Sequence, residues 1–283
     1  TTTGSLLLTN VLNANTYHYP SLAMIREINL GTNIGGLQNN SFKYLRNLHS
    51  ISIPSTLNIN YSGFFEQCQK LKHLTIPTGT TGLSQTFCSY CRGLETLSFS
   101  NTITSMSGNN IFQETSIDRV TLPLVSSLPN YIFRYSRMNM VVIPETVEGI
   151  SQYAFYGSSV PNILFKGGTS LGGYCFYEAY SLSRLKFYKN ITSIGQFCFS
   201  SLNGAVYFDF TNNTTIPSLG ASPMGNVPST LKIIVPDDLY EDWIANSSWS
   251  NYTSYIIKET CSMPHQIGRR PRYSSRRRAI SAR

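Results

Sequence analysis

One phrase returns ten times along the chain, and it restricts the fold more than any other feature. Its form is apolar-x-x-apolar-x-apolar, often closed by proline. It reads "IREINL" at 25–30, "LHSISIP" at 48–54, "LKHLTIP" at 71–77, "LETLSFS" at 94–100 and "IDRVTLP" at 117–123. It continues as "MNMVVIP" (138–144), "VPNILFK" (160–166), "SLSRLKF" (181–187, led by Leu182), "AVYFDF" (205–210) and "TLKIIVP" (230–236). Successive copies begin 21 to 25 residues apart. No single copy is long enough to bury its own apolar face. Copies stacked in register bury a continuous core, so the period predicts a solenoid.

Within a copy, the alternation predicts a short strand with every second side chain buried. A second phrase precedes most copies, as in "IFQETSI" (111–117), "AFYGSSV" (154–160), "CFYEAYSL" (175–182) and "CFSSLNGA" (198–205). Stretches leading into it, such as "ITSIGQFCF" (191–199), read as another short extended piece. The Phe-centred segment then reads as a tight or 3-10-like turn that plugs the core. Stacking strands in parallel, about 4.8 Å per rung, gives ten rungs and a body roughly 50 Å long. Residues 1–24 read as a degenerate first rung, 25–235 as the repeats, 236–259 as a terminal cap and 260–283 as an arginine-rich tail.

Composition agrees with strands and argues against a nucleic-acid footprint across the repeats. Charged residues are 13% of the chain, and Ser, Thr, Asn and Tyr supply most of its polarity. The formal charge of +8 is concentrated at one end: residues 261–283 hold seven arginines and no Lys, Asp or Glu. Removing those seven from the 22 basic residues leaves 15 against 14 acidic ones in 1–260. A specific nucleic-acid footprint across the repeats is therefore not expected. The tail reads as a solvated extension, with nonspecific attraction to nucleic acid, anionic lipid or polyanionic glycan as the other reading. No apolar run reaches the length of a transmembrane helix. The opening "TTTGSLLLTN" suggests a chain that starts inside a longer protein.

The repeats resemble those of BspA-like leucine-rich repeat surface proteins. The resemblance rests on "LKHLTIP", "MVVIPETVEGISQYAFYGSSV" (140–160) and "KNITSIGQFCFSSL" (189–202), and on the closing "IIVPDDLYEDWIANSSWSNYTSYIIKE" (233–259). It covers about residues 5–259. The resemblance implies a β-rich α/β fold, the leucine-rich repeat solenoid. It also implies a secreted or cell-surface location and a non-enzymatic role in adhesion to matrix proteins or other cells. The irregular rung "FTNNTTIPSLGASPMGNVPST" (210–230) and the arginine tail depart from the family pattern.

Several residues invite a chemical reading. "FFEQCQKLKHLTIP" (64–77) sets Cys68 beside Lys70, Lys72 and His73, and "CSYC" (88–91) imitates a redox or metal motif. The repeat supplies a simpler account. Cys68 and Cys91 occupy one repeat position, Cys175 and Cys198 another, each pair 23 residues apart, as expected of small buried thiols in a ladder. A disulfide between neighbouring rungs also fits the rung spacing. His49 and His73 fall on strands without a recurring acidic partner, and no nucleophile elbow, phosphate loop or zinc-protease helix occurs. No catalytic residue, metal site or cofactor is expected. Seven N-x-S/T triplets reflect the Asn/Ser/Thr-rich composition.

The segment from Pro236 predicts a short amphipathic helix with Asp237, Asp238, Glu241 and Asp242 in its first turns. Leu239 and Trp243 would cover the last rung, with Trp249, Tyr252 and Ile256 extending that cover.

Any partner site is expected on the open, concave sheet face. The outward slots run Glu27/Asn29, Ser50/Ser52, His73/Thr75, Thr96/Ser98, Arg119/Thr121, Met140/Val142, Asn162/Leu164 and Arg184/Lys186. The first rungs offer hydroxyls and amides. Met140, Val142 and Leu164 then form an apolar patch, with Arg119, Lys166, Arg184 and Lys186 around it. This is the candidate site for a protein or extracellular-matrix ligand, or a glycan. An unused face that has drifted in sequence is the alternative, and a structural spacer is the alternative function. Neither oligomeric state nor ligand identity follows from the pattern.

Overall fold

The computed structural model describes residues 24–262 apart from Asn33 and Ala205. Most of the degenerate first rung and most of the arginine tail lie outside the described residues. The repeats form one parallel β-solenoid. Strands Glu27–Asn29 and Ser50–Ser52 pair with each other. Nine further strands form one sheet, running from His73–Thr75 through Thr96–Ser98, Arg119–Thr121, Met140–Ile143, Asn162–Phe165, Arg184–Phe187, Tyr207–Asp209 and Lys232–Val235 to Ile256–Lys258. The Lys72 amide donates to the His49 carbonyl (3.3 Å) and carries the ladder across the gap. Every pairing is parallel and in register, so a given repeat position forms a straight column across the sheet.

From His73–Thr75 to Arg184–Phe187 the strands bury alternate residues as the phrase predicts, while Ile28 and Ile51 in the first two are only partly buried. Leu71, Leu74 and Ile76 are buried, as are Val141 and Ile143, Ile163 and Phe165, and Leu185 and Phe187. A second ladder of two-residue strands includes Ser127–Leu128, Gly149–Ile150, Ser170–Leu171, Ser193–Ile194 and Ser218–Leu219, all parallel. The core between the ladders is a column of phenylalanines. Phe112, Phe133, Phe155, Phe176 and Phe199 stack rung on rung at 5.2–5.8 Å between centroids.

The turns that present these rings have a fixed backbone signature. Two residues four apart take positive φ in each of nine successive rungs: Asn40 and Tyr44, Gly63 and Gln67, Thr86 and Tyr90, Asn110 and Glu114, Tyr131 and Tyr135, Tyr153 and Gly157, Tyr174 and Glu178, Phe197 and Ser201, Ser222 and Asn226. Most are not glycine, although the left-handed region costs an L-residue roughly 1–2 kcal/mol. The conformation aims alternate amides along the solenoid axis. Tyr153, Phe155 and Gly157 donate to the carbonyls of Gly173, Cys175 and Tyr177 in the next rung. The Tyr156 and Ser158 amides turn back instead to the Tyr153 and Phe155 carbonyls. These bonds satisfy the buried polar backbone, which offsets the local strain.

The cap is shorter in helix and longer in sheet than the sequence predicts. Between 3-10 turns Asp237–Leu239 and Ser247–Tyr255 the α-helix is confined to Tyr240–Ala245, and a second, four-residue helix, Glu259–Ser262, follows the last strand. Asn246 interrupts the helix by accepting from the Ser248 amide (3.0 Å), the competition with helix hydrogen bonds that Asn and Ser favour. The chain then re-enters the long sheet: Ile256–Lys258 pairs with Ile233–Val235. The aromatic cover forms as expected, with Trp243 and Trp249 fully buried against Phe210.

Candidate functional site

Two columns of side chains run along the open face of the long sheet. One reads His73, Thr96, Arg119, Met140, Asn162, Arg184, Tyr207, Lys232; the other reads Thr75, Ser98, Thr121, Val142, Leu164, Lys186, Asp209, Ile234, Ile257. Met140, Val142 and Leu164 come together, Val142 being the register partner of Leu164. All three are half-buried by their neighbours, so the apolar patch is a shallow strip. Arg119 stands at its near end, 73% exposed at the side chain, with only a long 3.9 Å contact to Asp118. Lys166, one residue past strand Asn162–Phe165, is exposed at the edge.

Arg184 and Lys186 do not stand as free cations around the patch. Both converge on Asp209 in the next rung, at 2.9 and 3.3 Å. The Asp209 side chain is 3% exposed, and the Thr211 hydroxyl (2.7 Å) and amide (3.3 Å) also donate to it. Burial pushes the Asp209 carboxyl up in pKa. The Thr211 hydroxyl and amide, the Arg184 hydrogen bond and the Lys186 charge together outweigh burial and hold it below its ordinary range. Arg184 and Lys186 are thus structural counterions as well as surface groups. Asp209, Tyr207 and Lys232 were absent from the expected site. Their signal was available, because the same outward slot in "AVYFDF" and "TLKIIVP" names them. Tyr207 is 42% exposed between its register partners Arg184 and Lys232.

At the other end of the strip the sheet splays. Strands Thr96–Ser98 and Arg119–Thr121 keep one registered pair, Thr96 with Arg119. Beside it opens a cleft of about 500 Å³, lined by Leu97, Phe99, Ile103, Arg119, Leu122 and Leu124 among others. Leu124 is 68% exposed on its rim.

The groups that looked chemical are otherwise engaged. Cys68, Cys88, Cys91, Cys175 and Cys198 are buried free thiols. The Cys68 and Cys91 thiols donate to the Phe42 and Phe65 carbonyls at 3.1 and 3.0 Å. Burial raises the Cys68, Cys88 and Cys175 pKa values well above the ordinary thiol value. Lys72 pairs with Glu95 (3.0 Å), and His73 shares a hydrogen bond with the Thr96 hydroxyl (2.9 Å). Among the described residues no three of His, Cys, Asp and Glu gather as metal ligands, and no helix is long and apolar enough to cross a membrane.

A parallel solenoid with a short strand and, in nearly every rung, a Phe-bearing turn defines a leucine-rich repeat protein. The chain belongs to the BspA-type leucine-rich repeat family, whose model matches residues 12–139 and 126–254 in six copies. It is similar to the crystal structure of a leucine-rich repeat protein from Bacteroides ovatus ATCC 8483: 15% identity, 82% of this chain, 66% of that one, TM-score 0.58. The chain therefore spans just under two thirds of that protein. It also matches the pneumococcal vaccine antigen PcpA at 15% identity, over 82% of this chain and 79% of that one, with a TM-score of 0.45. A leucine-rich cell surface protein from Faecalibacterium prausnitzii A2-165 matches at 17% identity, over 83% and 73% of the two chains, with a TM-score of 0.30. The Bacteroides likeness supports the fold. A comparison with curated proteins found no match.

Proposed function

We propose that this is a non-enzymatic binding module of a cell-surface or secreted protein, and that it holds a protein ligand of the extracellular matrix or of another cell against the open sheet face. The observation that carries this reading is the change in character along that face. Up to Thr96/Ser98 the outward slots are mostly hydroxyl and amide groups. From the splayed cleft onward they become Arg119, the Met140/Val142/Leu164 strip, and Tyr207 between Arg184 and Lys232. A cleft that admits an apolar side chain, with arginine and tyrosine nearby, matches the composition of the energetic centre of protein interfaces. Family membership supports a binding repeat, and the surface location is what the resemblance to BspA-like surface proteins implies.

The test is adhesion of the full chain to matrix-protein-coated and cell surfaces, compared with an Arg119→Ala, Leu124→Ser, Tyr207→Ala variant. These positions leave the Asp209 ion pairs intact. Adhesion should fall at least about tenfold, the scale of one interface hot spot. A folded variant that adheres like the parent would overturn the reading and leave the repeats as a spacer.

A further inference from the structure

The turn wall of the solenoid carries a second groove, of about 350 Å³, lined by Tyr131, Arg134, Tyr153, Tyr156, Tyr174 and Tyr177. Two rows of side chains build it. Tyr131, Tyr153 and Tyr174 occupy the first positive-φ position of successive turns, and Arg134, Tyr156 and Tyr177 lie three residues later. Within the first row the rings stack at 4.8 and 4.9 Å, within 13° and 7° of parallel. In the second, Tyr156 stacks on Tyr177 at 5.3 Å and 6°. Across the groove the rings tilt against each other by 54° and 52°. Ring faces are therefore occupied by ring faces along the axis, and what meets solvent is a periodic row of ring edges and hydroxyls.

Arg134 closes one end. Its guanidinium sits over the rings of Tyr131, Tyr135 and Tyr156 at 5.5, 4.7 and 5.5 Å. Its Nε is buried and has no hydrogen-bond partner. Among the described residues no carboxylate lies within ion-pair distance of it. The same turn position four rungs earlier is Lys43, which pairs with Glu66 of the following rung at 3.0 Å. At Arg134 the following rung offers Tyr156 instead. Cation–π contact offsets part of the desolvation of this charge, but the Nε–H donor remains unused. A buried unused donor of this kind needs a physical reason. The groove is thus basic at the Arg134 end and lined by tyrosines along the rest of its length.

We propose that this groove binds an extended glycan bearing a carboxylate, with the acid group on Arg134 and the sugar hydroxyls running along the tyrosines towards Tyr177. The spacing favours a saccharide over a peptide. Successive tyrosines stand 4.8–5.3 Å apart, about one sugar unit of an extended chain, whereas an extended peptide advances about 3.3 Å per residue. Single-stranded nucleic acid is disfavoured because it needs free ring faces for stacking and a row of cations. Here the faces are taken, and one cation lines the groove.

Calorimetry on the full chain tests this with three probes: a short linear hexuronate oligosaccharide, the same oligosaccharide with its carboxyls reduced to alcohols, and an oligoglutamate of similar charge. The acidic sugar should bind at least about tenfold more tightly than either of the others, the scale of one charge-assisted hydrogen bond. Arg134→Gln should abolish that preference. Tyr177→Phe removes one hydroxyl while keeping the stack; it should weaken the acidic sugar severalfold at an unchanged melting temperature, and it decides the matter if Arg134→Gln fails to fold. Equal binding of the reduced sugar or the peptide, or no binding at all, overturns the proposal. So does an affinity that survives both substitutions and vanishes with salt, because that belongs to the seven arginines of the tail.

Discussion

The Arg184 guanidinium lies 2.9 Å from the Asp209 carboxylate, one rung away on the open face, and Lys186 reaches the same oxygen at 3.3 Å. The partners are unequally exposed: Arg184 is 60% exposed at the side chain and Asp209 3%. Removing the cations therefore leaves a buried carboxylate, whereas removing the carboxylate releases cations that water can solvate. Arg184→Met with Lys186→Met should cost about 3–5 kcal/mol in urea unfolding, the range for stranding a buried charge. Asp209→Asn should cost less, about 1–2 kcal/mol, because Thr211 can still donate to the amide oxygen.

The same pair sets an acid limit on stability. Asp209 has a folded-state pKa below its unfolded value, so the folded state binds its proton less readily. The stabilisation it brings is present above the ordinary carboxyl value of 3.8 and is lost as pH falls through the folded-state value. Urea midpoints measured from pH 5 downward should decline less steeply in Asp209→Asn than in the parent. Parallel declines would show that the carboxyl is not held by its partners.

The paired positive-φ positions make opposite predictions at two rungs of one column. Gly157 has φ +62°, and a methyl group there would run into the Tyr135 ring. Gly157→Ala should destabilise by about 1–3 kcal/mol from backbone strain and displacement of the ring. Adding Tyr135→Ala should recover the steric part. Ser201 occupies the equivalent position two rungs on, at φ 60°, with no hydrogen bond from its side chain. Ser201→Gly should stabilise by up to about 1 kcal/mol, read from the same denaturation curves. A loss there would mean that the serine carries a contact beyond its backbone.

How much of this was legible in the sequence follows from what each residue has to signal. Leu71, Leu74 and Ile76 announce their strand because alternate burial needs alternate apolar residues. Cys68 and Cys91 gave up their apparent chemistry once the repeat was aligned, because they share one buried slot. The turn geometry was not legible. Its strained positions carry Asn40, Tyr131, Glu178 and Ser201, types with no common preference for positive φ, and rung-to-rung hydrogen bonds hold them there. The strand Ile256–Lys258 lacks the full phrase, because a terminal strand has one neighbour to match. Asp209 and Tyr207 sat in the outward slot that the strand rule identifies. The Arg134 groove is built from turn residues, which no strand period describes.

The five buried cysteines of the repeats give a direct check on the core. Burial disfavours the thiolate, the reactive form, and raises the pKa of Cys68, Cys88 and Cys175. In native protein at mildly alkaline pH, alkylation followed by peptide mass spectrometry should leave Cys68, Cys88, Cys91, Cys175 and Cys198 unmodified. All five should react once urea passes the unfolding midpoint. Fast native modification of any one would mean that its rung opens locally.

The cap offers a comparison in which two tryptophans differ mainly by one hydrogen bond. Trp243 and Trp249 are both fully buried, 5.2 Å apart between ring centroids, and both contact Phe210. Trp249 donates its Nε1 to the Pro217 carbonyl at 2.9 Å, while the Trp243 Nε1 is buried without a partner. Substituting phenylalanine removes similar ring volume at each site, so the cavity costs should be alike. At Trp249 the substitution also strands the Pro217 carbonyl, adding about 1–3 kcal/mol; at Trp243 it removes a donor that gained nothing. Trp249→Phe should therefore lower the urea midpoint clearly more than Trp243→Phe. Equal losses would show that packing against Phe210, and not the bond to Pro217, secures the end of the solenoid.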